Sequence, residues 1–291
     1  GTDPNVIQKI NQMSAVEAFG RPNVMTTRTK LVPRSGGVTL DRVAKGGSFV
    51  DDANPNDSVL LTADKLGGMV RVDEEDIEDS LANIIDTKTI DAATTYAKLF
   101  DNSCIGATAA KGTTGWAYDS LYYTLTQADT TTSYTASSNI TQSATAGGVT
   151  YNDLSGALGK LEQGDWFDPN DIVVICHPSF AQALREIKDS NLRPIFNESS
   201  NGTAGGGQGS YPTLFGHQLH WSLGSKTTAS PTQAPTGNPL LVFAQRSLLH
   251  RGDRSPLEVS FQSSEEGLGF ATDQNLLRFR ARKSVAFGAP G

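Results

Sequence analysis

The sequence predicts an α+β fold, because helical and strand patterns occupy separate stretches of the chain. A helical pattern covers residues 80–105, where apolar side chains recur every three or four positions. Residues 257–262 and 277–282 alternate between apolar and polar side chains, which is the period of a half-buried strand. Of the 291 residues, 37% are hydrophobic, which is enough to build a sizeable core.

The charge balance and the cysteine content disfavour several classes of protein. The formal net charge is −7 and 19% of the residues are charged, so a general binder of nucleic-acid phosphates is disfavoured. No stretch approaches the roughly 18 consecutive apolar residues of a membrane span, and the first residues lack a signal-peptide pattern, so we expect no membrane contact. Cys104 and Cys176 fall in a predicted helix and a predicted buried strand, which favours packed, reduced thiols over a disulfide.

The N-terminal part is predicted to be an extended basic arm followed by a long loop. Residues 1–45 hold seven Lys or Arg and three acids, without a sustained hydrophobic period. From Val38 to Val72, short strand-like apolar runs, the first at Val38, Leu40 and Val43, are separated by turn residues. This pattern indicates a long hairpin or loop rather than a compact unit.

The helical pattern after this loop is long and acidic. Four carboxylates, Asp73 to Asp76, stand where a helix N-terminus favours negative charge, and Gly106 stands at the expected C-terminal stop. A continuous helix over residues 80–105 would be about 39 Å long, at roughly 1.5 Å per residue. Residues 73–101 hold nine acids and two lysines, so an acidic helix follows a basic arm.

The second half of the chain predicts an irregular region, an αβα unit and terminal strands. Residues 113–150 hold sixteen Ser or Thr, which indicates a loop or irregular β region. The αβα unit consists of helical spacing from Tyr151, a buried strand at residues 172–176 and Pro178 at a helix start. In the last strand one face carries Arg278, Arg280 and Arg282. A solvated face and an interface with an acidic neighbour explain these arginines equally well.

The common catalytic signatures are absent, and the reactive residue pairs favour structural interpretations. His217 and His220 would face opposite sides of a strand, so a metal site is disfavoured. Cys176 and His177 are adjacent on a strand, which favours a core cysteine over a nucleophile with its base. The tripeptide 251–253, Arg-Gly-Asp, matches an adhesion motif, but a turn between strands is the favoured interpretation. We expect no catalytic residue, no metal and no cofactor.

Four stretches together resemble the major capsid protein of tailed bacteriophages with the Hong Kong 97 fold, which encapsulin shells share. Val70–Ser80 is similar to the family's entry into its spine helix, and Ile172–Pro178 to its strand, proline and helix unit. Leu214–Leu219 is similar to its Gly-x-Pro-Val strand, with His217 and Gln218 in place of the usual residues, and Leu257–Phe287 to its late strands. The resemblance implies an N-arm (1–33), an E-loop (34–72), a peripheral domain with a long spine helix (73–112 and 248–282) and an axial domain (113–247 and 283–291).

The resemblance implies a structural subunit without catalysis that self-assembles into hexamers and pentamers of an icosahedral phage head around double-stranded DNA. An arm, a loop and an over-long helix also cannot bury their apolar residues within one subunit, so they require neighbours. The opposite charges suggest that the arm of one subunit crosses the helix of another. The candidate contact residues are Arg21, Arg28, Lys30, Arg34, Glu74, Glu75, Glu78, Asp79, Arg278, Arg280 and Arg282.

The same resemblance implies partners and a location. Expected partners are a decoration or cementing protein, a portal, and a scaffold or protease during assembly, while DNA is enclosed without sequence-specific binding. The expected location is the virion, with assembly in the cytoplasm of a bacterial host. The alternatives are an encapsulin-like shell around protein cargo, a phage tail or adhesin component, and a hydrolase that uses Cys176 and His177.

One branch of the family links its subunits by an isopeptide bond between a loop lysine and an asparagine, promoted by a glutamate, and this chain departs from that pattern. Phe49–Asn56 contains no lysine, and the glutamate position falls on Arg280. The asparagine position falls near Asp273, with Asn275 as a shifted candidate. No covalent cross-link is therefore predicted. Gly1 without an initiator methionine fits the removal of an N-terminal segment during maturation and an edited N-terminus equally well.

Overall fold

The structure is a computed structural model that describes residues 13–38, 40–49, 51, 56–78, 84–112, 116–143, 149–188, 196–197, 213–225, 241–265, 267–269 and 271–290. The helices are α1 (Ala15–Phe19), α2 (Glu74–Glu78), α3 (Ile84–Asp101), α4 (Leu121–Thr126), α5 (Tyr151–Glu162) and α6 (Ala181–Glu186). The strands are β1 (Arg21–Val24), β2 (Thr29–Arg34), β3 (Asp57–Thr62), β4 (Asp64–Asp73), β5 (Ile172–Cys176), β6 (Phe196–Asn197), β7 (Thr213–Leu214), β8 (His217–Trp221), β9 (Leu241–Gln245), β10 (Leu249–Gln262) and β11 (Gln274–Phe287).

A four-stranded sheet in the order β1-β10-β11-β4 carries the two C-terminal strands. The alternation predicted for β11 is confirmed, because Leu277, Phe279 and Ala281 are buried while Arg278 and Arg280 are exposed. The apolar face packs against residues of α2 and α3, as a period of two in a half-covered sheet requires. β1 runs parallel to β10, and β4 is paired with β11 from Asp64 to Asp73.

The outer end of β10 differs from the sequence expectation. Val259 and Phe261 belong to the apolar set of their strand, yet they are 44% and 53% exposed. β11 pairs with this outer end on one side, but β1 pairs only with residues 250–253, so within the described residues no strand pairs with its other edge. The alternation therefore identified the strand correctly, but it did not show how much of the face is covered within one subunit.

The predicted helix over residues 80–105 is present in a shorter and altered form. α3 covers Ile84–Asp101 and then continues as a π-helix from Asn102 to Gly106, where the predicted glycine stop is confirmed. The acidic helix start is confirmed in α2, which begins at Glu74. The part of the continuous helix predicted for residues 80–83 lies outside the described residues.

A second sheet has five strands in the order β6-β7-β8-β5-β9, and it confirms the predicted αβα unit. β5 is buried along its whole length, parallel to β8 and antiparallel to β9. A capping box between Thr150 and Asp153 begins α5, and Pro178 begins the short 3-10 helix that leads into α6. The region 113–150 is less irregular than predicted, because Ser120 caps the helix α4.

The hairpin predicted between Val38 and Val72 is displaced toward the N-terminus, because β2 and β3 pair from Thr29 with Thr62 to Arg34 with Asp57. The strand-like run at Val38, Leu40 and Val43 is wrong, since the described part of the connection, 35–38, 40–49 and 51, holds no strand. The division into an arm, an E-loop and two domains stays a prediction.

Candidate assembly surfaces

The arm helix α1 is anchored by a buried carboxylate at the end of α3. Asp101 is 1% exposed and accepts hydrogen bonds from the backbone nitrogens of Ala15 (2.8 Å) and Val16 (3.2 Å). The hydroxyls of Ser222 (2.6 Å) and Ser14 also donate to it. Because Ser222 directly follows β8, one carboxylate joins the arm, the long helix and the five-stranded sheet. Burial raises the pKa of Asp101, while these hydrogen bonds act to lower it.

This anchor was not predicted from the sequence, although the Ser14 half of it has a local sequence signal. Ser14 is the N-cap of α1 and accepts from the backbone nitrogen of Glu17 at 3.1 Å, which fits the Ser-x-x-Glu helix-start pattern. Asp101 carried no local signal, since it is separated from Ser14 by 87 positions in the chain.

Charged and aromatic side chains hold the other end of α1. The Tyr96 hydroxyl donates to Glu17 at 3.0 Å, and the Lys283 ammonium lies 3.2 Å from the same carboxylate oxygen. The Phe19 ring meets His220 edge-on at 5.0 Å, and the Arg246 guanidinium lies 5.1 Å from its centre. The expectation of an extended arm is therefore wrong for Ala15–Phe19, because this helix docks within its own chain.

The tripeptide at 251–253 takes part in this docking and is not a turn. It lies inside β10, where β1 pairs on one side and β11 on the other, so the predicted turn is wrong. Arg251 pairs with Asp253 at 3.0 Å and donates to the carbonyl oxygen of Glu17. Asp253 also lies 2.7 Å from Lys283. Both charged side chains of the motif are thus engaged inside the subunit.

Arg34 is committed to partners within its own chain. Its guanidinium lies 2.5 Å from Asp57 and 2.6 Å from Asp129, and it donates to the carbonyl oxygen of Gly288 at 2.7 Å. The hydrogen bond with Asp57 raises the pKa of Arg34 and lowers that of Asp57. This network holds the end of the β2–β3 hairpin where the connecting loop begins, so Arg34 is engaged inside its own subunit.

The other three arm cations are largely on the surface. The Arg28 side chain is 71% exposed, and its guanidinium is 4.0 Å from Asp64. Lys30 donates to the carbonyl oxygen of Val24 at 3.2 Å, and Arg21 is exposed where β1 meets β10. These side chains make few contacts within the subunit.

The connection between β2 and β3 presents apolar side chains to solvent. Val38 is 71% exposed, Leu40 is 90% exposed and Phe49 is 89% exposed. On the adjoining hairpin, Leu31 is 62% exposed and Leu60 is 54% exposed. Large apolar side chains concentrated on one projecting segment mark a surface that a partner covers.

The acidic candidates differ in whether they have hydrogen-bond partners within the subunit. Glu74 accepts from the Asn275 side chain and from the Ser264 hydroxyl at 3.2 Å, which ties α2 to the end of β11. Glu75 and Glu78 are exposed on α2. Asp79 lies outside the described residues.

Two arginines of β11, Arg278 and Arg280, are exposed, and both have partners on the neighbouring strand β10. Arg280 lies 2.6 Å from Glu258 across the strand pair, and Arg278 is 3.4 Å from the Ser260 hydroxyl. Arg282 is half-buried. The guanidinium face predicted from the sequence is therefore present, whereas its pairing with a neighbour stays a prediction.

The reactive residues weighed from the sequence occupy structural positions. Cys176 is fully buried in β5, which raises the pKa of its thiol, and His177 caps the following 3-10 helix by accepting from the Ser179 nitrogen at 3.1 Å. Neither environment activates a nucleophile. In the described ranges no group of three or more His, Cys, Asp or Glu side chains is arranged to hold a metal ion. The helices in those ranges are also too short or too polar to cross a membrane.

The positions compared with the family's cross-link carry other interactions. Asn275 is buried, and its side-chain Oδ1 atom accepts from the Ser264 backbone nitrogen at 2.9 Å. Arg280 pairs with Glu258, as described above, and Asp273 stands in a tight connection with φ of +52°. The absence of a cross-link stays a prediction.

A subunit with a projecting apolar loop, an uncovered sheet face and an anchored arm belongs to the class of assembly subunits, whose surfaces are completed by neighbours. The family model described as "Phage capsid family" matches residues 2–289. The chain therefore belongs to the phage capsid family, and it is a structural major capsid protein that forms the phage shell.

Solved structures support the Hong Kong 97-type fold. A chain from Microbacterium phage Oxtober96 matches with a TM-score of 0.71 at 18% identity, covering 99% of this chain and 89% of that one. A chain from Mycobacterium phage Bobi matches with a TM-score of 0.71 at 15% identity, covering 99% and 88%. The capsid of an empty GTA particle matches with a TM-score of 0.64 at 12% identity, covering 99% and 91%. A comparison with curated proteins finds no match. A cargo shell or a tail component is not favoured.

Proposed function

We propose that this capsid protein assembles into the hexamers and pentamers of an icosahedral head that encloses double-stranded DNA. The observation that carries the proposal is the exposure of Val38, Leu40 and Phe49 on the connection between β2 and β3. Burying a large apolar side chain is worth about 1.5–3 kcal/mol, so these residues supply contact energy once a neighbouring subunit covers them. A closed shell gives every copy such a neighbour.

The proposed subunit consists of an N-arm (1–33), an E-loop (34–72), a peripheral domain (73–112 and 248–282) and an axial domain (113–247 and 283–291). Arg21, Arg28 and Lys30 are the arm cations we propose for contacts with acidic surfaces of neighbours. The shell is held without covalent links, by its own contacts and by a decoration or cementing protein. A portal and a scaffold or protease take part during assembly in the host cytoplasm.

The proposal includes no catalytic step and only weak contact with DNA. A net charge of −7 suits a container whose wall does not grip phosphates, since tight binding would hinder packing and release. Isolated capsomers are expected to bind DNA weakly at physiological salt, as measured by a mobility shift across salt concentrations. Tight, salt-sensitive binding would contradict this part of the proposal.

Electron microscopy of the purified protein tests the assembly proposal directly. Wild-type protein should form closed icosahedral particles, and Phe49→Ser should lower the yield of particles because it removes an apolar contact. Tyr151→Ser is the control, since Tyr151 is 37% exposed on α5 and its ring packs edge-on against Phe215 of its own chain. Tubes, or soluble monomers under all conditions, would refute the proposal.

A further inference from the structure

One face of the four-stranded sheet is basic and open. In an antiparallel pair, residues opposite each other share a face, so Arg278 lies with Met69 and Arg282 lies with Lys65. We call this surface the basic sheet face; its cations are Lys65, Arg71, Arg278, Arg280 and Arg282. All of these are exposed except the half-buried Arg282.

Two acids accompany these five cations. Glu258 pairs with Arg280 at 2.6 Å, and Asp73, at the end of β4, accepts from Gln274 at 2.7 Å. The centre of the face holds Met69, which is 52% exposed. The surface is therefore a cationic strip with an apolar spot, and it already accommodates one carboxylate.

We propose that the basic sheet face receives the acidic helix α2 of a second copy of this chain. This inference rests on the proposed shell and names the segment that one of its contacts uses. α2 presents Glu75, Asp76 and Glu78 to solvent, so its charge complements that of the face. Arginine suits such a contact because its planar guanidinium binds carboxylates bidentately.

The α2 helix of the same chain faces the wrong side of the sheet. Ile77 packs with Val72, Leu277 and Phe279, which belong to the opposite, apolar face. The exposed acids of α2 are therefore held away from the basic sheet face of their own subunit. The α2 helix of a second copy is not held on that side of this sheet, so its acids can reach the basic sheet face.

The spacing of the two charge sets also matches. Arg71 and Arg278 are diagonal neighbours across the pair of β4 and β11, about 7–8 Å apart, and Glu258 engages Arg280 rather than either of them. Residues three apart on a helix, such as Glu75 and Glu78, have side chains about 5–6 Å apart. Long arginine side chains span the difference, so both acids reach a guanidinium at once.

DNA phosphate is the competing occupant, and two residues of the face disfavour it. Glu258 would repel a phosphate strand that tracks along β11, and its carboxylate already neutralises Arg280. Met69 suits a protein surface better than a phosphate backbone. The face therefore suits a protein partner better than DNA.

A charge-swap experiment on the full chain tests the contact. Arg278→Glu and Glu75→Arg, each alone, should raise the protein concentration needed for particle formation by about threefold to tenfold, because each places like charges together. The double variant should restore assembly to within about twofold of wild type. Lys188→Glu is the matched control, since Lys188 is exposed next to the buried Ile187 on the five-stranded-sheet side of the chain, away from the basic sheet face.

The outcomes separate this inference from the proposed function. If the wild-type chain forms no particles, the proposed shell fails. If wild type assembles and the single variants assemble equally well, or the double variant is as defective as the singles, the contact is refuted. If Arg278→Glu assembles normally but its particles retain less DNA, the face binds phosphate instead. Circular dichroism confirms that each variant is folded.

Discussion

Replacing Asp101 should release the arm helix from the rest of the subunit. Asp101→Ala removes the acceptor of the Ala15 and Val16 nitrogens and of the Ser14 and Ser222 hydroxyls. The hydroxyls keep other partners, since Ser14 still accepts from Glu17 and Ser222 from Gly224 at 3.1 Å. The two backbone nitrogens keep none of these bonds, and each buried unpaired donor costs about 1–3 kcal/mol.

The net loss should be about 3 kcal/mol for Asp101→Ala, because removing a desolvated carboxylate offsets part of the cost of the unpaired donors. Asp101→Asn should cost about 1–3 kcal/mol. Each carboxylate oxygen accepts from one backbone nitrogen, the Oδ2 atom from Ala15 and the Oδ1 atom from Val16. Whichever way the amide is turned, its NH2 group therefore opposes an N–H donor.

The pH dependence of stability gives the Asp101 prediction a second readout. The folded pKa of Asp101 is raised by burial above its unfolded value, so the folded state holds the proton more tightly. This carboxyl group therefore favours the folded state most at acidic pH, and its contribution falls as pH rises through the window between the two pKa values. Asp101→Asn should abolish that fall.

Urea unfolding of the unassembled subunit, together with hydrogen exchange of the α1 amides, measures both effects. Faster exchange at Ala15 and Val16 is expected in both variants, whereas Asp165→Asn, at an exposed site, should change neither measurement. The anchor would be refuted if Asp101→Asn unfolded at the wild-type urea concentration and its α1 amides exchanged at the wild-type rate.

Three further results are expected. Gly224→Ala should destabilise the subunit by about 1–3 kcal/mol in urea unfolding, since its new methyl group would collide with the Cβ atom of Asp101; wild-type stability would contradict this packing. Arg34→Ala should weaken the acid-induced loss of stability, because Arg34 lowers the pKa of Asp57 and that contribution is lost as pH falls through the folded pKa; an unchanged acid profile would count against it. Particles boiled in denaturant should run as single chains near 30.9 kDa, and covalent ladders would overturn the absence of a cross-link.

The sequence predicted elements whose signal is local and periodic. The buried run of β5, the alternation of β11 and the proline before α6 depend on neighbours one to four positions away, so each could be read directly. The wrong prediction at Val38, Leu40 and Val43 has the same origin, because an apolar run suggests a strand even where no partner strand lies beside it.

The sequence could not predict contacts between distant residues. Glu17 and Lys283 meet at 3.2 Å across almost the whole chain, and nothing in the sequence near either residue indicates the other. The sequence predicted only part of the basic sheet face. Its arginines on β11 were recognised, but Lys65 and Arg71 join them only through the register of β4 against β11.

The exposure of apolar residues shows which parts of the subunit are already packed within one chain and which parts need a neighbouring subunit to cover them. Val16 is fully buried by contacts within the chain, so α1 reaches its final environment before assembly. Phe49 and Leu40 are almost fully exposed, and Phe261 lies on the outer end of β10. Because α1 is already buried and the loop is exposed, assembly should bury more apolar surface on the loop than on this part of the arm. Variants in the loop should therefore lower assembly without lowering subunit stability, and variants in the Asp101 anchor should lower subunit stability first.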